Sequence, residues 1–478
     1  MLARKGADLA PAVAGNEARK IGAGKRLSSR PQNPRTQAVR AANGSGHRLE
    51  RETFKTSRLL DFCSEHELTK QIGHGPDQWP LVILKELVDN AIDAAEEAGV
   101  APKIKVDVTG NNIIIEENGP GIALETVTDI LDFAARVSSR EAYASPTRGA
   151  QGNALKTIVA MAFALDGREG ETVIESRGTA HEITFRVDHL RQQPKLSHTH
   201  QACSVKSGTR ITVKWPVCAC SKLEEAKPRF LQMAEDYGWL NPHLSMSVTW
   251  DRVLRSTHHL QSNPEWAKWR PSDPTSPHWY DEARLRRLMG AQISRDQDLG
   301  RVPRTVREFV SEFRGLSGTA KQKLVLEEAD AARLSLAEFF GVGERVNSNR
   351  IAKLLVSMQR HSRPVKPKDL GLIGKDHLAA CFKAIGVEPA TFKYQRAVGE
   401  SEGLPEVIET AFGWCPNGEN KRRIITGLNW SVAIGNPFRS LGSYGESLDS
   451  ILAEQRSGRE EPIVFVRPRQ VGCRHPRP

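Results

Sequence analysis

The segment from Leu84 to Ala95 constrains this chain of 478 residues more than any other stretch. Its residues repeat with helical spacing, and residues three and four positions apart share one face of a helix. Glu86, Asn90 and Asp93 therefore form one polar stripe. A carboxylate and a carboxamide one turn apart suit a hydrolytic metal site, because the carboxylate can orient water and the amide oxygen can ligate Mg²⁺. An ordinary amphipathic helix with an acidic face explains the same pattern. The opposite side of this helix consists of apolar residues that can pack on a sheet: Leu87, Ala91, Ala94 and Ala95.

A glycine-containing turn forms the second informative element. Residues Glu117 to Ile122 follow the short apolar strand Ile113–Ile115 directly. Gly119 and Gly121 would let the backbone approach a ligand without obstruction by a Cβ atom. Glu117, just before the turn, can accept a hydrogen bond from an exocyclic amine. A plain turn is the alternative interpretation.

Two further glycine elements follow along the chain. Gly149 and Gly152 precede the apolar helical segment Leu155–Leu165. A glycine-rich entry to a helix offers free backbone N–H groups and the positive end of the helix dipole, which suits a phosphate chain. Such glycines are also common in loops. The fourth element is Gly208-Thr209, at the start of the strand that contains Ile211.

Taken together and in order, these elements resemble the sequence boxes of the GHKL superfamily of ATPases, which includes gyrase, the heat-shock chaperone, histidine kinases and MutL. Glu86-x-x-x-Asn90-x-x-Asp93 is similar to the first box, and the residues from Asn118 to Ile122 are similar to the second. The loop Gly149–Gly152 is similar to the lid box, and Gly208-Thr209 is similar to the last. Each box contacts a different part of one nucleotide, so the set is far more specific than any single motif.

The resemblance implies a role for each matching residue. Glu86 would be the general base for the attacking water, and Asn90 would ligate Mg²⁺. Glu117 and Thr209 would hold the adenine of ATP. Two positions depart from the family pattern, because Glu117 replaces the usual aspartate and Ala154 replaces a usual glycine. The residues implied to bind the nucleotide are Asn90, Asp93, Glu117, Asn118, Gly119, Gly121, Ile122, Gly149, Gln151, Gly152, Lys156 and Thr209.

Within the superfamily, the chain is most similar to the B subunits of the type IIB topoisomerases (topoisomerase VI). Residues Phe133–Gly152 resemble the lid of these proteins. Phe309–Phe313 begins a helical segment placed like their helix–two-turns–helix module, and Pro367–Gly374 would close it. Leu404–Glu409 resembles the opening of their transducer domain.

We therefore expect an α+β protein in which a Bergerat-type ATP-binding α/β sandwich precedes a helical module and a transducer-like α/β domain. The predicted organisation is a disordered basic tail (1–50), the ATP-binding domain (51–216), an irregular Trp/Pro-rich extension (217–300), the helical module (301–390), the transducer-like domain (391–466) and a coil tail (467–478). Tryptophans 266, 269 and 279 are expected to pack together rather than to stack on bases. Strands are predicted around residues 104–108, 113–115, 172–174, 183–187, 211–213, 407–408, 424–425 and 463–466.

Charge and cysteine content add broader expectations. Residues 1–50 contain ten Lys/Arg and three acidic residues, so they carry +7 of the net charge of +11. Such a tail can attract nucleic acid non-specifically; a solvated extension, an artefact of start-site choice and a transit peptide are alternatives. Seven scattered cysteines predict reduced thiols in a cytoplasmic protein. The apolar stretch Thr157–Leu165 is too short to span a bilayer, so we expect no membrane partner.

The expected function is that of an Mg²⁺-dependent ATPase subunit. By resemblance, ATP would drive homodimerisation, and a separate topoisomerase A-like subunit would cleave DNA for strand passage. The alternative is an ATP-gated dimerisation or scaffold module in DNA repair, plasmid biology or defence, without topoisomerase activity.

Overall fold

The computed structural model describes residues 62–133, 142–146, 154–188, 190, 193–259, 261–342, 345–401, 403–416, 423–435 and 463–467. The predicted basic tail of residues 1–50 lies outside these ranges. So does the coil tail apart from Arg467, which is the last residue of a strand rather than coil.

The first half of the described chain forms an eight-stranded sheet. The order of its strands is β5-β4-β3-β6-β2-β1-β7-β8, and all neighbours are antiparallel except β1 and β7. The strands predicted within this region are confirmed. The strands are β1 Lys103–Thr109, β2 Asn112–Glu117, β3 Gly170–Ser176, β4 Thr179–Asp188, β5 Gln193–Ala202, β6 Thr209–Lys214, β7 Ser245–Trp250 and β8 Val253–His259.

Helices cover one face of this sheet. Alternate residues of the central strands, such as Ile104, Val106 and Val108, are buried beneath helices α2, α4 and α5. The opposite face carries ion pairs, as where Arg210 contacts Glu116 at 2.8 Å. A sheet with one apolar and one solvated face gives the predicted α/β sandwich. The helices are α1 Glu65–Ile72, α2 Trp79–Glu97, α3 Leu124–Ile130, α4 Ala154–Asp166 and α5 Cys220–Leu240.

The prediction of an irregular extension over residues 217–300 is wrong for residues 220–259, and also for residues 282–298, which form a helix. Helix α5 occupies the first part, and Leu223, Phe230 and Tyr237 repeat every seven residues along its buried face. Pro228 lies inside this helix and obscured its pattern in the sequence. Strand β7 then pairs in parallel with β1, so this region completes the eight-stranded sheet.

A second apolar core lies among the shorter helices that follow. Trp269 and Trp279 pack edge to face within it, with ring centroids 4.8 Å apart, which confirms packing for this pair. Trp266 packs against the first core. Capping boxes begin α7 and α9. The elements of this region are α6 Glu282–Asp298, α7 Val306–Ser311, α8 Thr319–Glu328, α9 Leu336–Phe340, β9 Gly341–Val342, β10 Arg345–Val346 and α10 Ser348–Arg360. The next helix, α11 Lys375–Ala384, packs Leu378 and Phe382 into the first core instead.

A five-stranded sheet ends the described chain, with the strand order β11-β12-β15-β13-β14. The three strands predicted in this region are all present. Ile425, Trp430 and Val432 belong to the same apolar core as α2 and β1, so this sheet packs into the first half of the fold. The strands are β11 Lys393–Ser401, β12 Leu404–Phe412, β13 Ile424–Leu428, β14 Ser431–Val432 and β15 Ile463–Arg467.

Two further sequence predictions concern membranes and thiols. None of the helices in the described ranges has both the length and the apolar character needed to cross a bilayer. Cys63, Cys203, Cys218, Cys220, Cys381 and Cys415 are free thiols.

A histidine pair on the sheet predicts a pH dependence of stability. His181 Nδ1 lies 3.0 Å from His198 Nε2, and His200 is close to both rings. Burial, reinforced by the neighbouring histidines, lowers the pKa of His181 and of His198 below the ordinary value of 6.5. The folded state therefore binds fewer protons than the unfolded state. The stabilisation is complete above pH 6.5 and is lost as the pH falls through the folded pKa values.

Urea unfolding at pH 7.5 and pH 5.5 measures this effect. When the pH falls from 7.5 to 5.5, the free energy of unfolding should decrease less for His198→Gln than for the unaltered chain. His66→Gln, at a largely exposed side chain, serves as the control and should retain the full pH dependence. Identical pH dependence in both variants would contradict the prediction.

Candidate functional site

The turn after β2 packs directly on helix α2. A Cβ atom at Gly119 would lie 3.1 Å from Ala94 of α2, so the missing side chain lets the turn approach the helix closely. The carbonyl of Gly119 accepts a hydrogen bond from the N–H of Gly208 at 3.1 Å. The first, second and last motifs of the sequence therefore meet at one place.

A second close approach lies two residues further along the turn. Gly121 has a φ of 76°, and a Cβ atom there would lie 2.6 Å from the hydroxyl oxygen of Ser176. That hydroxyl accepts a hydrogen bond from the N–H of Ile122 at 2.8 Å and donates to the carbonyl of Gly208 at 3.1 Å. Ser176 thus ties the end of β3 to both glycine segments.

The start of β6 completes this cluster. Thr209 is buried and pairs with Glu117 of β2 on one side and with Ser176 of β3 on the other. Gly208 has a φ of 74°, and the backbone of Glu117 occupies the space that a Cβ atom would need. The buried Thr209 hydroxyl and Glu117 carboxylate consequently lie on adjacent strands at the same sheet position.

The two polar side chains before Gly119 have defined partners. The Glu117 carboxylate, which is buried, accepts a hydrogen bond from the N–H of Gly119. The Asn118 side chain accepts from the N–H of Lys103 at 2.7 Å and donates to the carbonyl of Ala101 at 3.0 Å. Asn118 therefore fixes the turn to the connection between α2 and β1.

The predicted polar stripe of α2 divides into two parts. Glu86 is half-buried and Asn90 is exposed, and they lie one turn apart. Asp93 is buried instead, and it accepts a hydrogen bond from the ammonium group of Lys268 at 3.4 Å. Its carboxylate thus contacts the segment after β8 instead of lying open to solvent beside Asn90.

Asp93 belongs to a row of three buried carboxylates on α2, with Asp89 and Glu96 on either side. Glu96 contacts His243 at 2.9 Å and Lys268 at 3.0 Å. Asp89 accepts hydrogen bonds from Lys85 at 2.9 Å, from the Tyr237 hydroxyl at 2.8 Å and from the Ser431 hydroxyl at 2.6 Å. Buried carboxylates need such partners, and loss of one partner destabilises strongly.

The predicted phosphate-binding loop lies largely outside the described residues. Gly149, Gln151 and Gly152 fall in the undescribed range 147–153. Lys156 of α4 is 1% exposed, and its ammonium group donates to the carbonyl of Asp132 at 2.6 Å. Burial lowers the pKa of Lys156, with the charge of Asp132 acting in the opposite direction.

Several residues of this site escaped the sequence analysis. Ser176 and Arg177 lie at the β3–β4 turn, where the Arg177 guanidinium donates to the carbonyl of Pro120 at 3.2 Å. Their proximity to the glycine turn depends on the pairing of β3 with β6 and of β6 with β2. The Arg177-Gly178 pair signals a turn in the sequence, but not which turn it would contact.

Substitution of Gly121 tests the close packing of the turn. Gly121→Ala should lower the free energy of unfolding by about 2 kcal/mol or more, because it combines a left-handed backbone with a clash against Ser176. Gly110→Ala is the matched control: Gly110 has a φ of 59° with no atom within 4 Å of the added Cβ. Urea denaturation should show a larger loss for Gly121→Ala, whereas equal losses would argue against the close approach.

Comparisons with known proteins relate this segment of the chain to a described family. Residues 77–218 match the family model described as histidine kinase-, DNA gyrase B-, and HSP90-like ATPase. The matched range contains α2, the glycine turn, the β3–β4 turn and Thr209.

Several relatives in sequence are B subunits of type 2 DNA topoisomerase 6. The B subunit of type 2 DNA topoisomerase 6 from Natronomonas pharaonis is 30% identical over 183 residues, which cover 36% of this chain and 22% of that protein. The corresponding B subunit from Thermococcus onnurineus is 22% identical over 368 residues, covering 69% of this chain and 60% of that protein. The matches thus span less than two thirds of either relative.

Among solved structures, the Aquifex aeolicus MutL ATPase domain complexed with ADP aligns at 9% identity and a TM-score of 0.31. That alignment covers 80% of this chain and 90% of the MutL chain. A score this low carries no argument about function.

Proposed function

We propose that the chain binds and hydrolyses ATP as a subunit of the topoisomerase VI B kind. The premise is that residues 77–218 form a histidine kinase-, DNA gyrase B-, and HSP90-like ATPase domain. The single observation that carries this proposal is the contact between the Gly119 turn and α2 at Ala94. In the proposed site, the Glu86–Asn90 pair and the buried Glu117–Thr209 pair would contact opposite ends of one nucleotide.

The adenine of ATP would bind beside Glu117 and Thr209. The Glu117 carboxylate can accept a hydrogen bond from an exocyclic amine, and the Thr209 hydroxyl can serve as a second polar contact. Gly119 and Gly121 would line this region, as the sequence resemblance implies, and their missing side chains let the turn pack against Ala94 and Ser176. Asn118 and Ser176 hold the turn in place through backbone hydrogen bonds.

The chemistry would take place on α2. Glu86 would orient the attacking water and accept its proton. The exposed carboxamide of Asn90 offers an oxygen ligand that suits Mg²⁺, a cation that takes few protein ligands. Bound Mg²⁺ would neutralise developing charge on the phosphates. Gly149, Gln151 and Gly152 remain the predicted phosphate contacts.

At the level of the assembly, ATP would join two copies of this chain, and a topoisomerase A-like subunit would cleave DNA. The names of the relatives support this part of the proposal. The order of an ATPase domain, a helical region and a C-terminal sheet supports it as well, because the sequence resemblance implies the same order.

A second candidate is an ATP-gated scaffold without strand passage. Glu117 favours it, because its longer side chain bonds to the N–H of Gly119 where the family usually has aspartate. Relaxation of supercoiled DNA by this chain with the A-like subunit of its host would distinguish the two. The first candidate requires relaxation that depends on ATP, and the second requires none.

Glu86→Gln tests the hydrolytic assignment. The variant should bind Mg²⁺-ATP with unchanged affinity in calorimetry but turn over ATP at least about 100-fold more slowly, because it lacks the proton acceptor. Glu125→Gln, at an exposed position of α3, is the control and should hydrolyse ATP normally. Full activity in Glu86→Gln would remove Glu86 from this role.

Analytical ultracentrifugation tests the gating step. The Glu86→Gln variant should sediment as a monomer alone and as a dimer with Mg²⁺-ATP, because it binds the nucleotide without consuming it. The unaltered chain with Mg²⁺-ADP serves as the comparison and should remain monomeric. A sedimentation profile that does not respond to ATP would contradict gated dimerisation.

A further inference from the structure

The hairpin between β13 and β14 has an unusual tip. Asn429 and Trp430 form a two-residue loop in which both residues have positive φ, 51° and 62°. A bulky residue rarely adopts this conformation, which persists only where the surroundings hold it. Strain of this kind often marks a functional position.

The surroundings of Trp430 provide that restraint. Its side chain is 1% exposed, and its indole N–H donates to the carbonyl of Gly371 at 3.1 Å. The side chain of Asn241 donates to the Trp430 carbonyl at 2.9 Å. The ammonium group of Lys268 lies over the ring, 5.3 Å from its centroid. The hairpin tip is thus held in place by contacts with three earlier segments of the chain.

Because the tip is held in place, the next residue, Ser431, lies in contact with helix α2. The Ser431 hydroxyl donates to Oδ2 of Asp89 at 2.6 Å. The same carboxylate oxygen lies 2.9 Å from the ammonium group of Lys85, which lies 3.4 Å from Oε1 of Glu86. An unbroken row of polar contacts therefore runs from the C-terminal sheet to the candidate general base.

We propose that Ser431, Asp89 and Lys85 are positioning residues through which the C-terminal sheet sets the orientation of Glu86. This inference rests on the proposed function and deepens it, because it names a route by which the C-terminal sheet can regulate hydrolysis. None of the three residues needs to touch ATP. Lys85 is shared between two carboxylates, so its position depends on how much charge Asp89 presents to it.

The Ser431 hydroxyl controls how Lys85 is shared between the carboxylates of Asp89 and Glu86. It donates a strong, charge-assisted hydrogen bond to a carboxylate that is only 5% exposed. Without the hydroxyl, the Asp89 oxygen loses one donor, and the ammonium group of Lys85 moves towards it and away from Glu86. Glu86 then loses its restraint, while the adenine pocket around Glu117 and Thr209 is unaffected.

The test compares ATP turnover in purified full-length variants. Ser431→Ala should lower kcat about tenfold, because a general base displaced by a fraction of an ångström loses much of its effect. The KM for ATP and the calorimetric affinity for a non-hydrolysable analogue should stay within about twofold. Ser431→Thr keeps the hydroxyl and should restore most of kcat. In a Lys85→Met background, Ser431→Ala should add no further loss, because the row is already broken.

Ser357→Ala is the matched control. Ser357 is buried to a similar degree and donates to a carboxylate oxygen of Glu328 at 2.8 Å, in the helical region. Its variant should lose comparable stability but keep its kcat, which separates positioning from a general loss of folding.

The outcomes are distinct. Unchanged kcat in a folded Ser431→Ala variant, or equal losses in Ser431→Ala and Ser357→Ala, would overturn this inference alone. Additive losses in the Lys85→Met background would also overturn it. ATP binding without turnover in the unaltered chain would overturn both this inference and the proposed hydrolysis.

Discussion

The close packing of the Gly119 turn on α2 is the contact on which the candidate site depends. A Cβ atom at Gly119 would lie only 3.1 Å from Ala94, so the missing side chain lets the turn after β2 approach the helix closely. The contact joins the helix that carries the acid–amide pair to the ends of two central strands, which carry a buried acid and a buried hydroxyl. Ser176 and Asn118 serve the same end, since both hold the turn by its backbone.

Helix α2 has an accessible side and a side that is buried against later parts of the chain. Glu86 and Asn90 lie on its more accessible side, whereas Asp89, Asp93 and Glu96 are buried against later parts of the chain. A helix with apolar contacts alone on its buried side could slide or rotate with little penalty. Buried carboxylates bound to Lys268 and Ser431 restrict that freedom, because each partner must stay in place.

The sequence predicted the parts of the fold that local patterns encode. Alternating apolar residues located β1, β4 and β6, short runs of adjacent residues located β2 and β3, and helical spacing located α2. It missed β5, an edge strand whose residues are mostly polar and exposed, and it missed α5, which contains Pro228. The glycine turn was predictable, since few residue types tolerate such close approach. Its contact with Ser176 was not, because strand pairing is non-local. One partner of Asp89, Ser431, lies 342 positions further along the chain, where no local pattern can identify it.

Hydrogen exchange, measured by mass spectrometry on the unaltered chain with and without a non-hydrolysable ATP analogue and Mg²⁺, tests the central claim most directly. If one nucleotide binds between α2 and the glycine turn, amide protection should rise together in peptides covering residues 84–95, 117–122 and 208–210. Peptides from α8 should not change, since this helix lies in the second apolar core. Protection that is absent from these three segments, or confined to one of them, would contradict the account.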